Sequence, residues 1–558
     1  MNRLACWLTV VLGLILLGPV LALLAYGVSV DAGASIWHER GRIITLAENS
    51  LLLAAGAVLV SLPFGLIVAI VLERVPFPGR SWLQRLVLIG LVIPLPVLAI
   101  GWQVILGAWL PSWTMNPGDV IWRPWAEGLF PAAWVHGMAG FPWVVWIAGA
   151  VFRTSDRATE EIALIEGGLR VLILRVWIPR LMLAVVAAGG WVAVITWTEI
   201  AVTDAMMVRT FAEEVYTQFV SGTSGVSEAV TVTVPAWLMT LLLAGVVFSR
   251  FATVLIHPPA DLAPPLAWPG SRTVRRLLIL TAALIVLGVI GLPLLALVWK
   301  ASGGGSPGGP SKSFFLGELS KVIASDGRIL LSSVVTAMSV AGLTVVLAWI
   351  TCWWADAVRF VRVGLATGAI ILLITPGPLL GIGLKQVINV AMDSEESLLE
   401  LLGLRPEFPP LRSLLYEQPS PIPAAWAMMI RMFPVAVVMI WPSLRLIPQE
   451  LLDAAKLDGL SFAGTWRLVI LPLTGTAAMR ALVAITALNL GELSASKLVN
   501  PPARTIFIHR IFDQMHYGAD STVAALCLMQ VGVLIVLAEL IPDRYRSETA
   551  ESMLASNA

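Results

Sequence analysis

The chain has 558 residues, of which 58% are hydrophobic and 13% are charged, and its mean hydropathy is +0.87. Soluble globular proteins carry about 25% charged residues, so this composition excludes an ordinary soluble domain and indicates a membrane protein. The net charge of +1 gives no sign of a nucleic-acid binder, and the three widely separated cysteines provide neither a disulfide framework nor zinc-ligand spacing.

Twelve stretches are apolar enough to cross a membrane as helices, since a spanning helix needs about 20 mainly apolar residues. In chain order they are residues 5–28, 49–72, 86–110, 131–152, 181–206, 228–250, 276–300, 329–354, 363–391, 423–444, 473–497 and 521–541. The first stretch could also be a cleaved signal peptide, but its basic flank is weak and its apolar part is long for a signal core. We predict an all-α polytopic membrane protein with about twelve transmembrane helices, the first of them retained.

The loops between these stretches differ in positive charge. If the N-terminus lies in the cytoplasm, the inner loops carry about twice as many lysines and arginines as the outer loops, as the positive-inside rule requires. The sequence therefore predicts a multi-pass protein of the inner or plasma membrane with both termini in the cytoplasm.

Short sequence matches recur in the same order along the chain. They are PAAW at 131–134 and 423–426, IPLPVLAIG at 93–101 with TPGPLLGIG at 375–383, and RTF at 209–211 with RTI at 504–506. These matches predict two six-helix halves, residues 1–255 and 276–558, joined by a proline-rich cytoplasmic linker at 256–275. Because six is even, both halves would enter the membrane in the same orientation and form parallel repeats.

Several residues inside the predicted spans are candidates for a translocation pathway. Ionisable groups are costly within a membrane, and prolines there kink helices at positions lined by protein or water. The candidates are Glu199, Glu492, Arg431, Pro94 and Pro376. Two alternatives stay open: the prolines could be fixed packing kinks, and the glutamates could lie near the outer interface or pair with Arg431 or Lys497.

The five histidines suggest no metal centre. His509 and His516 share one predicted polar loop and are interpreted as ordinary loop residues, and the sequence predicts no metal ion or cofactor. The spans contain no cluster of His, Asp and Glu, so a membrane-embedded enzyme is disfavoured.

A polar segment interrupts the apolar pattern between the tenth and eleventh stretches. In IPQELLDAAKLDG (447–459), Pro448 suits the first position of a short helix and Gly459 suits a left-handed C-terminal cap. Ser461 can cap a second short helix, and Pro472 marks the start of the next span. One interpretation is a generic interfacial helix lying on lipid headgroups.

The spacing within this segment resembles the cytoplasmic loop of the membrane subunits of ABC importers. In this chain the matching residues are Asp453, Ala454, Ala455, Gly459, Leu471 and Pro472. The corresponding first-half stretch, residues 160–179, matches at Glu161, Ala163, Gly167 and Pro179. It departs from the family pattern at Ile162, where alanine is usual, and it is one residue shorter.

Over both halves the chain resembles the fused, double-length permeases of bacterial ABC importers of the ferric-iron and thiamine type. The resemblance implies the type I importer permease fold and loop helices that dock on two cytoplasmic ATPase subunits. It also implies a substrate-binding protein on the outer side. The chain lacks a phosphate-binding loop of the G-x-x-x-x-G-K-S/T type, so it would be a transport subunit rather than an enzyme.

The substrate implied is ferric iron, with thiamine or another small solute as alternatives. A secondary transporter with two parallel repeats is the alternative class, because such proteins also have twelve helices and need no ATPase. That class gives no reason for the matched loop at residues 453–472.

Overall fold

A computed structural model describes residues 3–27, 40–109, 125–153, 156–221, 237, 268, 270–404, 409–518 and 520–540. Within these residues the regular structure is entirely helical. They include eight helices long and apolar enough to cross a membrane, or ten if each of two sharply bent pairs is one span. The chain is therefore an all-α multi-pass membrane protein. The predicted span 228–250, except for Trp237, and most of the predicted linker 256–275 lie outside the described residues.

The first half contributes nine described helices. They are α1 (Arg3–Gly27), α2 (Arg40–Arg74), α3 (Arg80–Val92), α4 (Leu95–Val104), α5 (Leu129–Arg153), α6 (Arg157–Val171), α7 (Ile178–Thr198), α8 (Ala201–Ala205) and α9 (Phe211–Ser221). Helices α2 and α5 pack closely because glycines remove side-chain bulk at their contact. A Cβ atom at Gly65 would lie 2.5 Å from Val144, and one at Gly137 would lie 2.6 Å from Val60.

The second half contributes thirteen described helices. They are α10 (Arg272–Val286), α11 (Leu292–Ala301), α12 (Lys312–Ala357), α13 (Arg359–Ile374), α14 (Gly377–Leu401), α15 (Pro410–Arg412), α16 (Ile422–Arg445), α17 (Gln449–Leu457), α18 (Phe462–Thr465), α19 (Leu471–Leu490), α20 (Ser496–Val499), α21 (Phe507–Met515) and α22 (Ser521–Glu539). Helix α12 packs against α16 and α19, and these form the frame of this half.

Two predicted spans are broken by near right angles. Helices α3 and α4 meet at 103°, and α13 and α14 meet at 112°. The breaks fall at Pro94 and Pro376, where the preceding residues Ile93 and Thr375 are extended, with ψ of 124° and 123°. Proline clashes with a helical conformation of the residue before it. The sequence predicted a kink in each span, and the structure shows a far sharper turn at the same prolines.

The bent helices exchange packing partners between the halves. Helix α1 of the first half packs on α14 of the second, and α11 of the second half packs on α4 of the first. Each contact joins a glycine to a proline: Gly383 adjoins Pro19, and Gly101 adjoins Pro293, leaving no room for a Cβ atom. Each half therefore reaches across to cover the bent helix of the other.

The prediction of a polar loop around His509 and His516 is wrong for residues 507–515. These residues form helix α21. This helix is strongly amphipathic: Phe507, Ile508, Ile511 and Phe512 are buried, and His509 is buried with them. The chain enters α21 and α9 in the same way. The Phe507 N–H donates to Ser333 Oγ at 3.0 Å, and the Phe211 N–H donates to Ser50 Oγ at 3.2 Å.

Candidate functional site

The second-half loop segment, residues 447–472, has the local structure that its sequence predicts. Helix α17 follows Pro448 and ends at Leu457, two residues before Gly459, whose φ is +71°. The Gly459 N–H donates to the Lys456 carbonyl and the Leu460 N–H to the Ala455 carbonyl, both at 3.0 Å. Ser461 Oγ accepts from the N–H of Gly464 at 3.3 Å and so caps α18.

Among the described residues, only one side of α17 is covered. Ala455 is buried, whereas Asp453 and Ala454 are exposed and Leu457 is 88% exposed. Asp453 accepts a hydrogen bond from Lys456 at the surface, at 2.8 Å. Leu471 and Pro472, at the start of α19, are also exposed. Leu457, Leu471 and Pro472 together leave apolar surface of the kind that marks a protein or membrane contact.

The first-half loop segment, residues 156–179, begins with a well-capped helix. The Asp156 carboxylate accepts hydrogen bonds from the Thr159 hydroxyl at 2.6 Å and from the N–H groups of Ala158 and Thr159, each at 3.1 Å. These bonds stabilise the ionised form, so they lower the pKa of Asp156. The cap fixes where α6 begins.

Helix α6 breaks at two glycines, and the left-handed residue is not the one that the repeat suggests. Gly167 is extended, with φ of −160°, and Gly168 has φ of +65°. Ala163 is buried, as its counterpart Ala455 is, while Ile165 is 85% exposed.

The remaining matched residues of the first-half loop segment lie on its surface. Glu161 is exposed and accepts a hydrogen bond from Arg157 at 2.7 Å. Pro179, in the first turn of α7, is exposed as well, and so is Ile162, where the family pattern has alanine. This segment therefore presents its own surface of charged and apolar side chains.

A fully buried ion pair holds α6 to the bundle. Arg74 Nη1 and Nη2 donate to the two Glu160 oxygens at 2.8 and 2.7 Å. Arg74 also donates to the Phe152 carbonyl at 3.1 Å, and Trp177 Nε1 donates to Glu160 at 3.3 Å. The guanidinium lies 5.4 Å from both aromatic ring centres. Sequence reasoning missed this network, because nothing local in the sequence links residues 74 and 160.

The second half is built differently at the corresponding place. Glu73 and Asp356 occupy equivalent places at the ends of α2 and α12, so Arg74 corresponds to Ala357; Glu160 corresponds to Leu452 and Trp177 to Ile470. Apolar side chains therefore replace the ion pair. Ile470 is fully buried there. The second-half loop segment is therefore held by apolar packing.

Matched ion pairs do lie beside both loop segments. Arg153, at the end of α5, bonds Glu73 at the end of α2. Arg445, at the end of α16, lies 3.9 Å from Asp356 near the end of α12. Each loop segment thus begins next to two long helices whose ends are joined by an ion pair.

The five candidate pathway residues meet where the helices break. Glu199 follows α7 and accepts from the N–H groups of Ala201 and Val202 at 2.8 and 3.1 Å. Glu492 follows α19 and accepts from Ala495 and Ser496 at 2.8 and 3.0 Å. Each carboxylate therefore caps a short helix after a long one, which satisfies N–H groups that a membrane interior would leave unpaired.

Arg431 of α16 bridges the two halves beside these carboxylates. It is partly buried; Nη1 donates to the Thr375 carbonyl at 2.9 Å and Nη2 to Thr198 Oγ1 at 3.2 Å. Thr198 precedes Glu199, and Thr375 precedes Pro376. On the other side, Pro94 lies against Gly491, where a Cβ atom would be 3.1 Å away. Sequence reasoning missed both threonines, because they carry no charge and have no special spacing.

The alternative pairing of Glu492 with Lys497 does not occur, because Lys497 pairs with Asp513 at 2.6 Å. Within the described part of the chain neither Glu199 nor Glu492 forms an ion pair within 4 Å, and no group of three metal-ligating side chains is present. No family model and no curated protein matches the chain.

Proposed function

We propose that the chain is the transmembrane permease subunit of an ATP-driven ABC importer, with a type I permease fold of two parallel repeats. The observation that carries the proposal is the second-half loop segment. It contains a short helix, Gly459 in a left-handed conformation and Leu471-Pro472, at the spacing of that family. The side chain of Leu457 is exposed. An exposed leucine on a short polar helix fits a contact with another protein subunit.

The partners follow from the same proposal. Two cytoplasmic ATPase subunits would bind the two loop segments, because the chain has no phosphate-binding loop of its own. A substrate-binding protein would deliver the solute on the opposite side of the membrane. The positive charge of the inner loops supports an inner or plasma membrane location with both termini in the cytoplasm.

Coupling then has a simple mechanical form. When ATP brings the ATPase subunits together, they pull both loop segments, and each segment moves the helices to which it is attached. The Glu160–Arg74 pair passes this force from α6 to α2. Opening of a pathway between the halves would break the bond that joins Arg431 to Thr198, while Arg431 could stay bonded to Thr375 within the second half. The Arg431 junction is thus the proposed closed point of the pathway.

We assign ferric iron as the solute, with thiamine or another small solute as alternatives. The support is the fused, double-length architecture, which the iron and thiamine permeases share. Glu199 and Glu492 would lie along the pathway with Arg431, Pro94 and Pro376.

A secondary transporter is the second candidate, and the Arg431 junction favours it. Charged residues inside membrane spans are typical of ion-coupled carriers, and Arg431 is bonded to Thr198, the residue before Glu199. The two candidates differ in their energy source. Uptake that survives ATP depletion while the proton gradient is intact would support the carrier and contradict the importer.

The test is purification of the tagged, full-length chain from its native membranes in mild detergent, followed by an assay of ATP hydrolysis. We expect an ATPase to co-purify, and we expect Leu457→Glu to reduce it at least about tenfold, since loss of a central apolar contact costs about 2 kcal/mol. The matched control is Leu401→Glu, an 83% exposed leucine at the end of α14. Equal ATPase recovery with both variants would contradict the proposal.

A further inference from the structure

A cleft of about 640 Å³ opens in the second half, along the N-terminal part of α12. Its polar lining consists of Arg328, Ser332, Thr336, Arg504 and Thr505. From Arg328 to the C-terminal end of α12 the helix rises about 43 Å, at 1.5 Å per residue. The cleft therefore lies at the membrane surface opposite the two loop segments.

The charge in this cleft is positive. Arg504 Nη2 donates to Thr336 Oγ1 at 2.7 Å, and Asn500 donates to the Arg504 carbonyl at 2.6 Å, so the Arg504 loop is fixed against α12. Arg328 is exposed, and within the described residues it has no ion-pair partner. The nearby Asp326 pairs with Arg510 at 3.3 Å. Two arginines on one cleft suit the oxygens of a phosphate group.

An apolar stripe continues from the cleft along the spanning part of α12. It consists of Leu331, Val335 and Met338, at intervals of four and three residues, and each side chain is at least half exposed. Residues at this spacing share one face of a helix. On a spanning helix such a face is covered by lipid chains. Leu331 and Val335 also line the cleft, so the positive site and the lipid-facing stripe are continuous.

We propose that this cleft binds the headgroup of an anionic phospholipid. The phosphodiester would lie between Arg328 and Arg504, and an acyl chain would follow the stripe. The repeat aligns Arg328 with Thr45 and Thr336 with Leu53, so the first half lacks the site. One lipid of this kind would bind each chain, whatever solute the chain carries. This site does not depend on the proposed function.

The experiment is native mass spectrometry of the delipidated full-length chain in neutral detergent, titrated with phosphatidylglycerol, phosphatidylcholine or free glycerol phosphate. We expect phosphatidylglycerol to bind best. We expect Arg328→Gln and Arg504→Gln each to weaken it about fivefold, the effect of one basic residue near an anionic surface. The control is Arg412→Gln, an exposed arginine outside the cleft.

Three outcomes would overturn the proposal. They are unchanged phosphatidylglycerol binding in the Arg328→Gln variant, equal binding of phosphatidylcholine, and glycerol phosphate binding as tightly as the whole lipid. Arg328 has no ion-pair partner in the described chain, so its loss should leave the melting temperature in lipid-free detergent unchanged. Arg504→Lys keeps the charge and should retain most of the binding even if Arg504→Gln fails to fold.

Discussion

The two loop segments share the spacing of an acidic residue, an alanine and a glycine, but they are attached to the bundle in different ways. The first-half segment is tied by the fully buried Arg74–Glu160 pair, whereas the second-half segment rests on apolar residues such as Ala455 and Ile470. A sequence repeat can therefore keep a buried alanine on each loop helix, Ala163 and Ala455, while the attachment of the loop changes. This difference predicts that substitutions in the two loop segments impair the protein for different physical reasons.

The largest effect is expected from breaking the buried ion pair. Arg74→Leu or Glu160→Leu alone removes the main partner of a buried charge, which costs about 3–5 kcal/mol of unfolding free energy; Arg180, 3.8 Å from Glu160, compensates part of this loss in Arg74→Leu. The double variant should recover most of this loss, because a buried ion pair and an apolar pair are often equally stable. Chemical unfolding of the purified chain in detergent measures all three variants.

The control is Arg445→Leu, which removes the partner of Asp356 in the second half. This pair is partly exposed and 3.9 Å apart, so its loss should cost less than about 1 kcal/mol. The double variant Arg74→Leu/Glu160→Leu could instead be as unstable as the single variants. In that case the ionic attachment of the first-half segment acts through more than the Arg74–Glu160 pair.

The next effect concerns the exposed surfaces of the two segments. Leu457→Glu and Ile165→Glu should both weaken the binding of an ATPase, by up to about 2 kcal/mol for a central contact. The effect should be larger at Leu457, because the second-half segment keeps the full family pattern. Both side chains are over four-fifths exposed, so the melting temperature should stay within 1–2 °C of the parent, about that expected for a surface substitution. Equal losses of ATPase binding in Leu457→Glu and Ile165→Glu would contradict the predicted difference between the two segments.

The glycines give a smaller and more local effect. Gly459→Val places a branched side chain at φ of +71°, and Gly168→Val does so at +65°, each costing about 1–2 kcal/mol. We expect ATP-driven uptake to fall further for Gly459 than for Gly167, because only Gly459 has a positive φ. At Gly167 the backbone accepts a Cβ atom, but that atom would collide with the Val171 side chain.

A rescue experiment separates these causes. In Gly167→Ala the added Val171→Ala substitution should restore uptake, because only a side chain is in the way. No second substitution of this kind should rescue Gly459→Val, since nothing lies within 4 Å of its Cβ position and the strain is in the backbone. Equal loss of uptake in Gly459→Ala and in the double variant Gly167→Ala/Val171→Ala would contradict this distinction between backbone strain and a side-chain collision.

The sequence predicted the local features of these segments well. Pro448, Gly459 and Ser461 act through their own backbone and near neighbours, so their pattern was sufficient to predict α17 and its caps. The prolines at 94 and 376 located the helix breaks for the same reason. The angles were not predictable, because they depend on what the bent helices pack against.

The long-range contacts were beyond sequence reasoning. Arg74 and Glu160 look like ordinary inner-loop charges, and only the fold brings them together. The packing of α1 on α14 was equally hidden, since lipid-facing and protein-facing apolar residues have the same composition in a membrane helix. Arg431 was identified as a candidate because an arginine within a span is costly, but its bridge to Thr198 and Thr375 was not.

The smallest expected effect is the pH dependence of the α6 cap. The folded-state pKa of Asp156 is lowered, so the cap stabilises the helix above the unfolded-state pKa and loses this contribution as pH falls through the folded-state pKa. The melting temperature of Asp156→Ala should therefore lie slightly below that of the parent at neutral pH and approach it in acid. A difference that grows on acidification would contradict the cap.

Photo-crosslinking in native membranes tests the central claim most directly. A photoreactive residue would replace Leu457, Ile165 or, as the control, Leu401 in the full-length chain, and captured proteins would be identified by mass spectrometry. We predict that positions 457 and 165 capture the same ATP-binding protein, one that contains a G-x-x-x-x-G-K-S/T loop, and that position 401 does not. Capture of lipid alone at positions 457 and 165 would contradict the proposed coupling to an ATPase.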